Sequence, residues 1–396
     1  MMLSFKYRLN PSRSQAAVLE EQLRLCRWTY NTLLGHCFDE RKAGRGTPRY
    51  ITLQNLLPAM KAGTPELDQV FSQVLQNVAK RVRSGFENYW ARRKAGLKAH
   101  TPRLRRRSSY NSLTYPQFGF KLEGSTLKLS KIGNISIKLH RPIRGKVRTL
   151  TVKRGAAGKL YVVFSCEVEP SPIPNREKAV GIDFGLNSLV ALSDGTTFEA
   201  PRNYRKAEKR LARLQRIHSR RKRNSRNREK ERVKIARLSE RVADQRRDFA
   251  YKAARNVVNK YERIYVEDLK IQNMQKNRCM GKSIADAGWG TLRGALTYMA
   301  HLSEGVIASV DPRDTSQLCS RCGNRVEKNL ADRVHICPRC GLVLDRDVNA
   351  ARNILRKGIG REPPEYTPAG DPAPTLLGPE VQTELMNQEA SPFMGR

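Results

Sequence analysis

The sequence has no long apolar run and few acidic residues for its size. No segment approaches about eighteen consecutive apolar residues, the length at which a helix can span a membrane. The first ten residues, MMLSFKYRLN, contain no apolar core of a signal peptide, so we expect no secretory leader there. These absences exclude the common membrane and secreted classes, and they predict a cytoplasmic protein with no membrane partner.

Cysteines are also few outside one short region. The chain of 396 residues contains eight, and four of them are scattered, at Cys26, Cys37, Cys166 and Cys279. A secreted domain stabilised by disulfides would be shorter and denser in cysteine, so the thiols are expected to be reduced. We interpret the four scattered cysteines as small apolar filler.

Positive charge is what the sequence has in excess. Lys and Arg number 75 against 37 Asp and Glu, which gives a formal net charge of +38. A chain with this excess repels itself unless a polyanion neutralises it, and no basic amphipathic membrane anchor stands out. Residues 201–250 alone hold 20 basic and 6 acidic residues. Nucleic acid is therefore the expected partner.

The first 175 residues change period twice. Residues 2–9 alternate as a strand does, and from Ser12 apolar residues recur at helical spacing to about residue 95, with a second helix expected to start at Leu67. From about Phe118 the period falls to two, in short runs separated by Gly and Pro. This predicts a helical domain at 13–114 and a small β barrel or sandwich at 115–175, which residues 1–12 complete.

A third region follows the proline-punctuated segment PSPIPN at 170–175. The pattern of residues 176–357 predicts an α/β domain. Strands are expected in KAVGIDFG, RIYVEDL and VIASV, together with a hairpin around Asp194-Gly195 and a helix from about Gly290 to His301. The basic stretch 201–250 predicts two antiparallel helices joined near Asn224–Arg228. Residues 358–396 hold seven prolines and six acids without periodicity, which predicts a disordered tail.

Four cysteines form a metal-binding pattern. CSRCG and CPRCG contain Cys319, Cys322, Cys337 and Cys340, and fourteen residues separate the inner pair. This spacing is typical of a zinc ribbon, in which four thiolates hold one structural ion and leave no open position. We place the ribbon at 315–342, and we expect His335 to be a turn residue rather than a ligand.

Several acids stand where acids are locally unfavourable. Asp183 interrupts the strand AVGIDFG, Glu267 ends the strand IYVEDL, and Asp345 and Asp347 precede the helix VNAARNIL. Each has a structural alternative. Asp183 could begin a turn, Glu267 could pair with an arginine, and Asp347 could cap the helix.

Taken together, the acids suggest one chemistry. Hard divalent cations take oxygen ligands, and a phosphoryl-transfer site needs carboxylates that converge from different elements. In an open sheet such groups collect at the carboxyl ends of the strands. With the basic charge, this favours a metal-dependent nuclease.

The residues GIDFG, VEDL, and CSRCG–CPRCG with LDRDVNAARN resemble the RuvC-type nuclease signature of the TnpB family, transposon-encoded RNA-guided DNA endonucleases related to type V CRISPR effectors. The opening FKYRLNPSRSQ and CRWTYN is also similar to that family. The resemblance covers 178–356 distinctively and 1–175 more loosely. It implies an RNase H-like (RuvC) nuclease domain at 176–357 with an inserted zinc ribbon, a β-barrel wedge domain and a helical recognition lobe.

The resemblance also implies roles for particular residues. Asp183, Glu267 and Asp347 would be catalytic and hold two Mg²⁺ ions, with Asp345 a close rival to Asp347 and Asp268 less suited because adjacent strand residues face opposite ways. The implied partners are one guide RNA per chain and a double-stranded DNA target, in a bacterial or archaeal cytoplasm or nucleoid. Candidate nucleic-acid contacts are the clusters Arg105, Arg106, Arg107 and Arg220, Arg221, Lys222, Arg223.

Two other functions remain open. A nuclease-inactive, RNA-guided repressor would need to lack a catalytic carboxylate. A DNA strand-transfer transposase can use a similar fold, although such enzymes typically order their acids Asp, Asp, Glu, whereas here the order is Asp, Glu, Asp.

Overall fold

The computed structural model describes residues 1–186, 188–329 and 332–360. These residues form two compact units. The first consists of Met1–Glu169 and Leu211–Glu240, and the second of Pro170–Arg210 and the described residues from Arg241 on. Within the described ranges, no helix combines the length and apolar character needed to cross a membrane.

Helices make up the N-terminal part of the first unit. They are α1 (Arg13–Lys42), α2 (Tyr50–Asn55), α3 (Leu57–Gly63), a 3₁₀ helix (Pro65–Gln69) and α4 (Ser72–Lys94). Helix α1 begins at the predicted position, and Ser12 and Gln15 form a reciprocal capping box at its start. The prediction that one helix starts at Leu67 is wrong. Val70 is extended and buried, so the backbone leaves the helical region before α4 begins.

A seven-stranded antiparallel sheet completes the first unit. Its strands are β1 (Met2–Asn10), β2 (Ser112–Tyr115), β3 (Phe120–Glu123), β4 (Thr126–Leu129), β5 (Gly133–Lys138), β6 (Lys146–Arg154) and β7 (Leu160–Glu167). Their order is β2-β6-β7-β1-β5-β4-β3. The first strand of the chain belongs to this sheet, as predicted, and it lies at the centre. The short strand β2 was not predicted, and it begins three residues before the expected boundary at 115. Closure of this sheet into a barrel stays a prediction.

The second unit is built on a five-stranded sheet in the order β10-β9-β8-β11-β12. Its strands are β8 (Glu177–Asp183), β9 (Ser188–Leu192), β10 (Thr197–Glu199), β11 (Tyr261–Glu267) and β12 (Val306–Val310). The three strands β8, β11 and β12 are parallel. The predicted hairpin of β9 and β10 is present, and Gly195 takes the positive φ of 95° that its tight turn requires.

Six helices and a small two-stranded sheet accompany the five-stranded sheet along the chain. They are α5 (Asn203–Arg220), α6 (Arg226–Lys260), α7 (Ile271–Met274), α8 (Gly281–Ala287), α9 (Trp289–Leu302), the strands β13 (Val334–Ile336) and β14 (Val343–Asp345), and α10 (Arg346–Ile359). The core of the second unit buries apolar side chains of β8, β11, α6 and α9. Helix α10 ends at Ile359, so its last two residues lie in the tail predicted from 358, and residues 361–396 lie outside the described residues.

The basic helical hairpin was expected to belong to the nuclease domain, but its middle groups with the first unit. Residues 211–240 pack there because Tyr161 donates a hydrogen bond of 2.5 Å to Glu240 and Arg232 donates one of 3.0 Å to the carbonyl of Ala156. The turn between α5 and α6 covers residues 221–225, whereas the sequence predicts it near Asn224–Arg228. Asn224 has a positive φ of 61°. Helix α6 continues to Lys260, ten residues beyond the expected end.

Candidate functional site

Two of the predicted acids end neighbouring parallel strands. Asp183 is the last residue of β8, and Glu267 is the last residue of β11. The register pairs Ile182 with Val266, so the two acids follow at the same level of the sheet. Residues paired in this way place their side chains on the same face. The fold therefore brings Asp183 and Glu267 to one edge of the sheet.

The third acid reaches this edge from helix α10. At Gly185, two residues after Asp183, an added Cβ would lie 3.1 Å from Oδ2 of Asp347. The carboxyl group of Asp347 thus lies against the backbone that follows Asp183. Its side chain is only 13% exposed, and Nε of Arg346 is 3.8 Å from its Oδ1.

The charges of the three acids act on each other. Burial raises the pKa of Asp183 well above its ordinary value, and the negative charges of Glu267 and Asp347 raise it further. Burial also raises the pKa of Glu267, although a hydrogen bond from Thr315 and the charge of Lys357 oppose it. The pKa of Asp347 is raised by burial first and then by the charge of Asp345. This edge of the sheet is a site where negative charge is concentrated and poorly solvated.

The helix cap separates the two candidates for the third acid. Oδ1 of Asp345 accepts hydrogen bonds from the amides of Asp347 at 2.8 Å and Val348 at 3.1 Å, so Asp345 is the N-cap of α10. The alternative in which Asp347 caps the helix is therefore wrong. Because Asp345 is exposed and used as the cap, the geometry favours Asp347 as the third member of the cluster.

Asp268 lies apart from this cluster. It is exposed, and its Oδ1 is 3.6 Å from a guanidinium nitrogen of Arg293. It follows Glu267 directly, and successive residues of an extended chain face opposite ways. This arrangement agrees with its lower rank in the sequence analysis.

Small residues let α10 approach the sheet closely. A Cβ at Gly181 would lie 2.1 Å from the carbonyl oxygen of Ala351 and 2.6 Å from the amide nitrogen of Leu355. A Cβ at Gly358 would lie 2.2 Å from the ring of Tyr265. No side chain fits at either position without moving the helix. The distance between α10 and the strands, and with it the position of Asp347, depends on these glycines.

The four predicted zinc ligands come together. The sulfur atoms of Cys319 and Cys340 are 3.6 Å apart, as are those of Cys322 and Cys337, and all four cysteines are buried. A tetrahedral zinc site with Zn–S bonds of about 2.3 Å spaces its sulfurs by about 3.8 Å, whereas a disulfide needs about 2.05 Å. The cluster has the geometry and chemistry of a structural zinc site.

In the described part of the chain, these sulfurs are the one group of three or more candidate ligand atoms that all lie within 4.8 Å of one another. The three carboxylates are more widely spaced. Each cysteine pair closes on a glycine with positive φ, Gly323 at 71° and Gly341 at 70°. The amides of these glycines donate 2.9 Å hydrogen bonds to the carbonyls of Cys319 and Cys337. His335 is not in a turn as expected; it is a buried residue of β13.

Two buried asparagines join the cysteine cluster to α10. Asn349 accepts a hydrogen bond of 2.8 Å from the amide of Ser320 and donates one of 2.8 Å to the carbonyl of Leu318. Asn353 donates to the carbonyls of Leu318 at 2.7 Å and Thr315 at 2.8 Å. The first cysteine turn is therefore bonded directly to the helix that carries Asp347.

Thr315 completes the connection. Its hydroxyl is 2.5 Å from Oε1 of Glu267 and donates to it. Sequence reasoning missed Thr315, Asn349 and Asn353. A signal for the asparagines was present, because two amides four residues apart on an apolar helix face are expensive to bury unless each finds a partner. Thr315 gave no such signal.

The predicted nucleic-acid clusters are exposed in the first unit. The side chains of Arg105, Arg106, Arg107, Arg220, Arg221, Lys222 and Arg223 all face solvent. The pKa of Glu229, in the first turn of α6, is lowered by its hydrogen bond from Arg232 and also by the charges of His218 and Arg107. Arg107 therefore lies near the hairpin, which places the two clusters on neighbouring surfaces.

Comparison with protein families gives three matches along the chain. Residues 163–278 match the family described as "Probable transposase", and residues 289–354 match "Cas12f1-like, TNB domain". Residues 1–46 match "Helix-turn-helix domain", although the structure forms one strand and one continuous helix there. The first two matches together contain the three carboxylates and the four cysteines.

Curated proteins match over most of the chain. A protein of Streptomyces pristinaespiralis is 35% identical over 90% of this chain and 89% of its own length. A protein of Escherichia coli (strain K12) is 33% identical over 90% of this chain and 92% of its own length. The first is named "Putative RNA-guided DNA endonuclease" and the second "Putative RNA-guided DNA endonuclease InsQ".

Among solved structures, a Cas12f1-sgRNA-target DNA complex matches this fold. The TM-score is 0.55 at 14% sequence identity, and the match covers 87% of this chain and 83% of that one. At this identity the likeness concerns the fold. It supports the expected mixed α/β architecture with an RuvC-like domain and a four-cysteine module.

Proposed function

Because the chain belongs to the TnpB family of transposon-encoded proteins, we propose that it is an RNA-guided DNA endonuclease. The observation that carries the proposal is the meeting of three poorly solvated carboxylates, those of Asp183, Glu267 and Asp347, at the carboxyl end of a parallel sheet. Ligand and catalytic groups collect at this end of open α/β sheets. The two relatives that align with 90% of this chain are named for this activity.

The chemistry of the donor set fits Mg²⁺. Hard cations prefer carboxylate oxygens. The pKa of Asp183 is raised first by burial and then by the charges of Glu267 and Asp347, and a divalent cation would offset both effects. We infer that Asp183, Glu267 and Asp347 hold two such ions, since two ions about 4 Å apart suit carboxylates that are spread more widely than the cysteine sulfurs. When bound, Mg²⁺ supplies Lewis acidity to the attacking and leaving oxygens of a phosphodiester in line.

The protein's own residues orient these acids. The Thr315 hydroxyl holds one oxygen of Glu267 and leaves the other for a ligand. The N-cap at Asp345 fixes the first turn of α10, so the direction of Asp347 is set by the helix. Carboxylates held in this way lose little freedom when they bind a metal and substrate.

Guide RNA and a double-stranded DNA target are the proposed partners, with one protein chain for each RNA. Base pairing between guide and target would choose the sequence, while the protein reads duplex shape and a short flanking motif. The exposed cations at 105–107 and 220–223 would contact phosphates of these nucleic acids. The structural zinc would stabilise the cysteine turn that is hydrogen-bonded to α10. In this way the zinc site would help to position the carboxylate that α10 carries.

Substitution of Asp183 by alanine tests the proposal. We expect Asp183→Ala to abolish cleavage of a guide-matched target while RNA retention and target binding stay within a few fold of wild type. Asp268→Ala is the matched control, because it removes a carboxylate from the residue next to Glu267 that faces elsewhere. The control should cut at close to the wild-type rate. Cleavage by Asp183→Ala at that rate would contradict the assignment.

Strand transfer is the second candidate, since the match over 163–278 is to a family described as "Probable transposase". A transposase of that kind needs no RNA. Sequencing the nucleic acid that copurifies with the protein therefore separates the two functions. A nuclease-inactive repressor is disfavoured because none of the three acids is missing.

A further inference from the structure

A second polar site lies in the same unit as the carboxylates. It is a cavity of about 700 Å³, within the range of about 300–1,000 Å³ that is usual for small-molecule sites. Its walls are the segment that follows β11, helix α8, the start of α9 and one residue of α6. Its polar side chains are those of Arg246, Lys270, Gln272, Asn273, Gln275 and Thr291. None of the described residues that line it is acidic.

The charges of the residues that line the cavity favour an anion as its ligand. The Arg246 side chain crosses the start of α9, where a Cβ at Gly288 would lie 2.7 Å from its Cδ. One guanidinium nitrogen donates a 3.3 Å hydrogen bond to Asp286, while Nε is buried and has no hydrogen-bond partner among the described residues. Lys270 adds a second cation to the lining. Two cations without a lining carboxylate favour a phosphate or a similar group.

The start of α9 adds to this field. Gly290, in the first turn of this 14-residue helix, lines the cavity. In this turn the amide of Thr291 donates a 2.8 Å hydrogen bond to the carbonyl of Gly288, so Trp289 and Gly290 carry the amides that have no partner within α9. The helix dipole concentrates positive potential there. The cavity thus combines Arg246, Lys270 and helix amides with the apolar surfaces of Leu269 and Ile271.

Two connections tie the cavity to the carboxylates. Leu269 in its wall is two residues after Glu267. Trp289, between the lining residues Gly288 and Gly290, donates a hydrogen bond of 3.1 Å from Nε1 to the carbonyl of Gly185, two residues after Asp183. The walls of the cavity therefore continue into the segments that carry two of the acids.

We propose that this cavity binds one nucleotide of the DNA strand that is cut, with its phosphate at Arg246, Lys270 and the start of α9 and its base against the apolar and amide side chains. The choice of the cut strand as occupant rests on the proposed function. A nucleotide held here would position the next phosphates of the same strand for the carboxylates. Guide RNA, which carries the same phosphate chemistry, is the alternative that the experiment must separate.

A single carboxylate at the start of α9 tests the proposal. A Cβ at Gly290 meets nothing within 4 Å, so Gly290→Asp introduces negative charge without a clash, and an acid in the first helical turn does not weaken the helix. Gly290→Asn has nearly the same size without the charge. Gly294→Asp adds the same charge one turn later, at an exposed glycine that also has free space and does not line the cavity.

Binding is measured on RNA-containing protein in the Asp183→Ala background, with a short single-stranded DNA that is not complementary to the RNA. We expect Gly290→Asp to weaken binding of this DNA by about tenfold, since it replaces attraction for a phosphate by repulsion. Gly290→Asn and Gly294→Asp should stay within about twofold of the parent. RNA retention should be equal in all four proteins.

Equal DNA binding by Gly290→Asp and Gly294→Asp would overturn the assignment, and so would loss of RNA rather than DNA from Gly290→Asp. Because the measurement needs no cleavage, it separates this inference from the proposed activity. A wild-type protein that cuts no target would refute the activity, whereas the binding comparison would still decide what the cavity holds.

Discussion

The contact between Gly181 and α10 leads to a quantitative prediction. In Gly181→Ala the new Cβ would lie 2.1 Å from the carbonyl oxygen of Ala351, where ordinary contact begins at 3.4 Å. Both atoms belong to regular elements, a strand in the core and a helix, so neither can rotate away. The helix must therefore move by about 1 Å or more, and it carries Asp347 with it.

The expected cost has two parts. Overpacking of this kind destabilises a folded domain by about 1–3 kcal/mol. A displacement of about 1 Å at a reacting group can lower a rate by about a hundredfold. We therefore expect Gly181→Ala to remain folded with bound RNA and to cut guide-matched DNA at least about thirtyfold more slowly than wild type.

The assay is single-turnover cleavage at saturating target, with urea denaturation to follow stability. Gly294→Ala is the matched control, because its Cβ meets nothing within 4 Å and the substitution lies in a helix, where it should stabilise by about 0.5–1 kcal/mol. The control should cut at the wild-type rate. If Gly181→Ala cuts within about threefold of the control, close packing of α10 on β8 does not set the position of Asp347, and the reasoning fails.

Two further outcomes are expected. Cys319→Ser should lower the zinc content below one ion per chain and slow cleavage, because the cysteine turn is bonded to the helix that carries Asp347; Cys279→Ser, at an exposed cysteine outside the cluster, should leave both unchanged. A Cys319→Ser protein with one tightly held zinc would contradict the ligand assignment. When a chelator has removed divalent cations, the free energy of unfolding of Asp183→Asn should exceed that of wild type by about 1–2 kcal/mol at neutral pH. Because the pKa of Asp183 is raised, its carboxyl group holds a proton more tightly in the folded protein than in the unfolded chain. Wild type therefore loses stability relative to Asp183→Asn as the pH rises above 3.8, the ordinary pKa of an aspartate. Urea denaturation at pH 5 and pH 8 measures the difference, which should grow with pH and shrink when Mg²⁺ is added; a difference that does not vary with pH would count against mutual repulsion of the acids.

Local patterns in the sequence were sufficient for most elements of the fold. Strand β8 ends at Asp183, which was expected inside the strand AVGIDFG. The start of α1 after Ser12, the hairpin at Asp194-Gly195, the strand that ends at Glu267 and the cysteine turns appear where the sequence predicts them. Each depends on residues that are close in the chain. The predictions failed where contacts with residues distant in the sequence determine the structure. Burial of Val70 interrupts the expected helix, and contacts with β7 and its preceding turn draw the middle of the basic hairpin into the first unit.

The amino-acid sequence alone determined which residue types could serve the two sites, because metal-ligand chemistry and cysteine spacing are properties of the chain itself. Only the tertiary structure decided how they are arranged. It set the parallel register that places Glu267 beside Asp183, more than eighty residues away, and the cap that engages Asp345 and leaves Asp347 at the carboxylate cluster. It also set the bonds from Thr315 and the asparagines, and the cavity next to α9. These features arise from contacts between distant segments, and such contacts leave no periodicity or spacing in the sequence from which they could be read.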